Sequence, residues 1–61
     1  MNHLPGDPFM LMSVVNTQLR DHYPCLQELA AANMVDEQSL KDQLAGINYV
    51  YDEKQNQFVS R

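Results

Sequence analysis

The residues of this chain that could do chemistry are few and loosely spaced. His22-x-x-Cys25 has the separation of two zinc ligands, but a closed zinc site needs four ligands and a catalytic one needs three with an open position. His3 is the only other histidine and there is no second cysteine. A helix-end histidine beside a half-buried thiol is the simpler reading. Cys25 would become nucleophilic if a helix N-terminus lowered its thiol pKa, yet no acid or base is specified beside it, and free cysteine most often fills space. The carboxylate pairs Asp36-Glu37 and Asp52-Glu53 invite an acid–base role, but helix capping explains the first and a solvated turn the second. Gly6 and Gly46 stand apart, so no loop cradles a phosphate, and Ser13, Ser39 and Ser60 have no triad around them. No catalytic, cofactor-binding or metal-binding residue is assigned, and the chain is read as a non-enzyme.

Binding is the class that remains, and binding surfaces depend on the elements that carry them. Asp7-Pro8 marks a helix start, because an Asp side chain accepts from free N–H groups of the first turn and Pro at the next position has no N–H to leave unpaired. The first helix is expected over 8–22, with Leu11, Met12, Val15 and Leu19 on one stripe and Ser13, Asn16, Thr17 and Arg20 opposite. Tyr23-Pro24 breaks it, since a residue before Pro avoids the helical region, and a second helix is expected over 24–32, burying Leu26, Leu29 and Ala30. Asn33 is expected to stop that helix in the left-handed conformation. Asp36 caps a third helix over 37–45, with Glu37 adding charge to its positive end, and Gly46 stops it.

Beyond Gly46 the apolar period changes from near four to two. Ile47, Tyr49 and Tyr51 alternate with Asn48, Val50 and Asp52, and Phe58-Val59 follows a polar stretch. This predicts a hairpin with strands near 48–51 and 57–60, closed by a four-residue loop Glu53 to Asn56 with Asn56 left-handed. Tyr51 then faces Phe58, Val50 faces Val59, and the aromatic pair turns toward the helices. The expected buried set is Leu11, Val15, Leu19, Leu26, Leu29, Leu40, Leu44, Ile47, Tyr49 and Phe58. The fold class is mainly α with a small β-hairpin, one domain over 1–61 made of an arm (1–6), three helices (7–47) and the hairpin (48–60).

Length and charge bound what such a domain does. Sixty-one residues bury only roughly 60% of their unfolded surface, so the core is small. The apolar share of 44% is enough for a globular fold. Eight carboxylates against four Lys plus Arg give a net charge of -4, which opposes polyanionic partners. A single cysteine fits a reducing, cytoplasmic setting, and no apolar run approaches the roughly 20 residues of a membrane span. A soluble, unprocessed chain is expected.

The order of elements is similar to a winged helix-turn-helix, with the third helix in the recognition position and the hairpin as wing. Around the turn, small Ala30, apolar Val35, capping Asp36 and apolar Leu40 follow that pattern; Met34 departs from it by standing where such motifs usually have Gly. The resemblance implies DNA contact through Gln38, Lys41 and Lys54, with Arg61 at a flexible end. Against this, two or three cations fall short of the 6–10 phosphate contacts of strong binders. Three further segments, Leu4-Pro5-Gly6-Asp7-Pro8, Val15-Asn16-Thr17-Gln18-Leu19-Arg20-Asp21 and Tyr49 to Val59, resemble a family of very short bacterial proteins known only as a domain of unknown function. That resemblance implies a free-standing bacterial protein and assigns no role to any residue.

Two surfaces are left over on the first helix. Met10 and Val14 form a lateral apolar strip, with Phe9 folded back over the first turn, and this is the expected contact surface for a second copy or another protein. Asn16, Thr17 and Arg20 form a polar cluster that serves either a partner or an ion pair of Arg20 with Asp21 or a hairpin carboxylate.

Overall fold

A computed structural model describes residues 4–61 of the chain. Helix α1 spans Pro8–Asp21, α2 Leu26–Ala32 and α3 Glu37–Ala45, followed by strands β1, Tyr49–Asp52, and β2, Gln57–Ser60. Asp7 caps α1 by accepting from the Phe9 N–H at 2.9 Å, and Asp36 caps α3 by accepting from the Ser39 N–H at 3.0 Å. These carboxylates satisfy donors that the first turn of a helix leaves free.

Each helix pair is in contact, β1 lies against α3, and β2 lies against α1. The core is one cluster: Leu11, Val15 and Leu19 of α1, Leu26, Leu29 and Ala30 of α2, Leu40 and Leu44 of α3, and Phe58 of β2. Ile47 and Tyr49, expected inside, are only half-buried, because they lie where the chain leaves α3 and at the start of a sheet that has two strands among the described residues. The hairpin register is Tyr49 with Ser60, Val50 with Val59, Tyr51 with Phe58 and Asp52 with Gln57. Asn56 is left-handed at φ 53°, and the Tyr51 and Phe58 rings meet at 5.5 Å.

Three local expectations are corrected. The second helix begins at Leu26 rather than Pro24, since Cys25 is extended (φ -160°, ψ 165°) and contributes no side-chain cap. The Tyr51 hydroxyl accepts from the Leu26 N–H at 3.2 Å instead, so the hairpin caps α2. Secondly, Asn33 is not left-handed (φ -91°); Met34 is, at φ 58°. The Val35 N–H reaches the Ala30 carbonyl and the Met34 N–H the Ala31 carbonyl, the paired bonds of a Schellman motif with Met34 in the position glycine usually fills. Buried Asn33 donates instead to the Leu29 carbonyl and to Gln18 of α1. Thirdly, α3 stops before Gly46 as expected, but Gly46 keeps helical dihedrals (φ -63°, ψ -21°) and is not the left-handed residue of the stop. The left-handed residue after α3 is Asn48, at φ 67°.

Candidate interaction surfaces

The N-terminal turn of α1 carries the largest uncovered apolar side chains of that helix. Phe9 is 60% and Met10 59% exposed, while Val14, one turn on, is half-buried. Phe9 does not fold back out of solvent. The stripe Leu11, Val15 and Leu19 satisfies the core from the other side, so nothing in the core draws Phe9 and Met10 inward. Met34 at 91% and Val35 at 37% are also uncovered, and Val35 joins Leu4, Pro5 and Leu11 around a groove of about 390 Å³ between the arm, α1 and α3.

The polar face of α1 is occupied differently at each residue. Asn16 donates through Nδ2 to the Phe58 carbonyl at 3.1 Å and accepts through Oδ1 from the Phe58 N–H at 2.7 Å. Its carboxamide thus stands in for a neighbouring strand along the outer edge of β2. The Thr17 hydroxyl donates to the Ser13 carbonyl at 2.9 Å. Arg20 pairs with adjacent Asp21 at 2.9 Å, a hydrogen-bonded contact that raises the guanidinium pKa and lowers the carboxyl. Together with Met12 and Gln57 these three side chains border a shallow depression of about 270 Å³.

On α3 the groups available to a polyanion are engaged within the helix. Gln38 Nε2 donates to Asp42 at 3.0 Å, and Lys41 pairs with Glu37 one turn back at 3.3 Å. Both line a groove of about 280 Å³ between α3 and β1 whose floor includes Tyr49, Tyr51 and Phe58. Lys54 sits in the hairpin loop, where Asp52 Oδ1 accepts from the Lys54 N–H at 2.9 Å. That bond and those from Gln55 hold the Asp52 carboxyl below its ordinary pKa, the Gln55 side chain contributing most.

Asn56 was placed in the loop by the sequence, but its chief role is tertiary. Its Nδ2 donates to the carbonyls of Leu19 and Tyr23 at 3.1 and 3.0 Å, and its Oδ1 accepts from the Tyr51 hydroxyl at 2.6 Å. One amide thereby ties the end of α1, the α1–α2 turn and the hairpin together. Burial raises the Tyr51 pKa, with the Leu26 N–H bond acting against it.

Of the groups considered for chemistry, His22 is exposed and stacks edge-on against Tyr23, with ring centroids 6.3 Å apart. Cys25 is half-buried at the N-cap of α2, and no hydrogen bond to its thiol forms among the described residues. His3 lies outside the described residues. Among those described, no three His, Cys, Asp or Glu side chains gather around a point that could hold a metal ion, and no helix is long and apolar enough to cross a membrane.

No curated protein and no solved structure matches the chain. One family model does, over residues 5–58, from the arm through the Phe58 that closes the core. The match takes in all three helices and nearly the whole hairpin, and the chain therefore belongs to the family described as Domain of unknown function (DUF4250).

Proposed function

We propose that the protein is a non-enzymatic module that works by contacting other protein, and that the first turn of α1 is its contact surface. The observation that carries this reading is the exposure of Phe9 and Met10, at 60% and 59%, side by side on a helix whose opposite stripe already supplies the core. Large apolar side chains left in water by a domain short of core material are a cost that a partner removes, and a flexible Met adapts to more than one shape. A winged helix-turn-helix layout, which the order of elements resembles, would also suit DNA binding, but fold alone does not set function. Here the charge of -4 and the pairing of Lys41 with Glu37 oppose docking of α3 on phosphate, and Gln38 must first release Asp42 to meet a base.

The test is the size of the native assembly. Gel filtration of an undiluted cell extract should place the wild-type chain well above its own 7.0 kDa, and Phe9→Ser combined with Met10→Glu should return it to that mass without loss of helix signal. Wild-type elution as a free monomer would overturn the proposal. A salt titration against duplex DNA separates the second reading: contacts from Lys41 and Lys54 would give a steep fall in affinity with salt, and each one removed would reduce the slope by about 0.9.

A further inference from the structure

The two edges of the hairpin are treated differently. Phe58 uses both its N–H and its C=O on Asn16, so both point away from β1 and the Tyr51–Phe58 pair is one that exchanges no ladder bonds. Antiparallel pairs alternate, so the Val50–Val59 and Asp52–Gln57 pairs carry the ladder. The Arg61 N–H bond to the Asn48 carbonyl, at 2.9 Å, fits the same phase. The N–H and C=O of Tyr49 and Tyr51 must then point outward from β1. Among the described residues none of these outward groups has a partner, and an open groove separates this edge from α3. Strand edges are usually blunted by short length, charge, Pro or a bulge. β1 is four residues long and ends in Asp52, but its Tyr49-Val50-Tyr51 segment has no charge, Pro or bulge, whereas Asn16 covers β2 at Phe58.

We infer that β1 is a self-association edge, at which two copies pair antiparallel with Val50 on the twofold axis. The strand is self-complementary in that register. Tyr49 of one copy meets Tyr51 of the other in both directions, so about four backbone hydrogen bonds form between outward groups already in phase. Val50, 39% exposed, comes opposite its own copy in a pair without ladder bonds, where side chains approach most closely. With half-buried Val59 on each flank, this makes one apolar row across a four-stranded sheet. The charges suit the arrangement too: Asp52 falls opposite Asn48 of the other copy rather than opposite a second Asp52, and the α3 wall of the groove mixes Lys41 with Asp42. A joint this small belongs with transient contacts, and because each copy carries a charge of -4, added salt should strengthen it.

This surface is separate from the first turn of α1, so the two fail separately. Sedimentation across roughly 10 μM to 1 mM should reveal a reversible dimer, more populated at higher salt. A 61-residue chain is short enough to synthesise whole with an N-methyl group at Tyr49, which removes an outward N–H and leaves the ladder to β2 intact. That variant should lose dimer affinity by about tenfold or more, as should Val50→Lys, which sets two like charges together on the axis. Both should keep the wild-type circular dichroism. A wild type that is monomeric over the whole range overturns the inference. So does a dimer indifferent to N-methylation, or one abolished only by Phe9→Ser with Met10→Glu.

Discussion

Replacing Asn56 by Ala removes three hydrogen bonds that join the hairpin to the helices and close its own loop. The amide donates to the carbonyls of Leu19 and Tyr23 and accepts from the Tyr51 hydroxyl. At a net ~1 kcal/mol each, these bonds contribute ~3 kcal/mol. Ala at the φ of 53° adds ~1 kcal/mol of left-handed strain. The sum, about 4 kcal/mol, rivals the about 3–5 kcal/mol that a domain of this size can draw from its core, so Asn56→Ala should be largely unfolded at 37 °C. Two companions separate the contributions. Asn56→Gly removes the strain and keeps the loss of hydrogen bonds, so it should recover roughly 1 kcal/mol over Ala. Asn56→Asp keeps the acceptor for Tyr51 but aims a carboxylate oxygen at the Leu19 and Tyr23 carbonyls. It should be unstable at neutral pH and partly rescued on acidification, when the protonated oxygen can donate. Urea unfolding followed by circular dichroism measures all three. An Asn56→Ala midpoint within about 0.5 kcal/mol of wild type would refute the claim that this amide joins the hairpin to the helices.

Met34 should behave in the opposite sense: Met34→Gly relieves the left-handed strain of a 91% exposed side chain and should stabilise by about 0.5–1 kcal/mol, and a lower melting temperature would contradict the Schellman assignment. Truncating Leu40, 2% exposed, to Ala should cost roughly 2–5 kcal/mol, and a near-wild-type cooperative melt would show it is not core. Because the Tyr51 pKa is raised from its ordinary 10.0, the folded form holds that proton more tightly than the unfolded chain does. Its contribution is complete below about pH 10 and declines as the pH rises through the folded value. The decline should vanish in Tyr51→Phe, and its persistence there would assign it to other groups. For Asp52 the sign reverses: its carboxyl is lowered by the Gln55 and Lys54 bonds, so its contribution is present above the ordinary value near 3.8 and lost on acidification, a loss that Asp52→Asn should flatten.

The hairpin register was legible from residues alone because alternation of apolar types has a fixed period of two, and a four-residue loop leaves one pairing for Tyr51 with Phe58. The helix starts at Asp7 and Asp36 were legible for a similar reason, since capping acts within three residues. The helix ends were legible too, at Ala32 and Ala45, but the left-handed residue lies one or two positions beyond the expected Asn33 and Gly46. A left-handed Asn33 is favoured by residue type, but the Schellman bonds count from Ala30 and Ala31 and place the turn on Met34, where context outweighs preference. The joints made by Asn16 and Asn56 had no local signature. Their partners lie 42 and 37 residues away, and a polar residue on a helix face or in a loop looks the same whether it meets water or a distant backbone. Of the candidate surfaces, the exposure of Phe9 and Met10 follows from their place off the core stripe. The open edge of β1 had no signature either, because its phase is set by the Phe58 backbone bonding to Asn16.

If this domain works by contacting protein, the partner meets the first turn of α1. Site-specific photocrosslinking in living cells tests it most directly, with a benzophenone amino acid in place of Met10 and, in parallel chains, of Lys41 and Glu28. Discrete protein adducts at position 10, absent at exposed position 28 and removed by Phe9→Ser, are the predicted result. Nucleic-acid adducts at position 41, with position 10 silent, would rule out protein contact through α1 in favour of docking of α3 on nucleic acid.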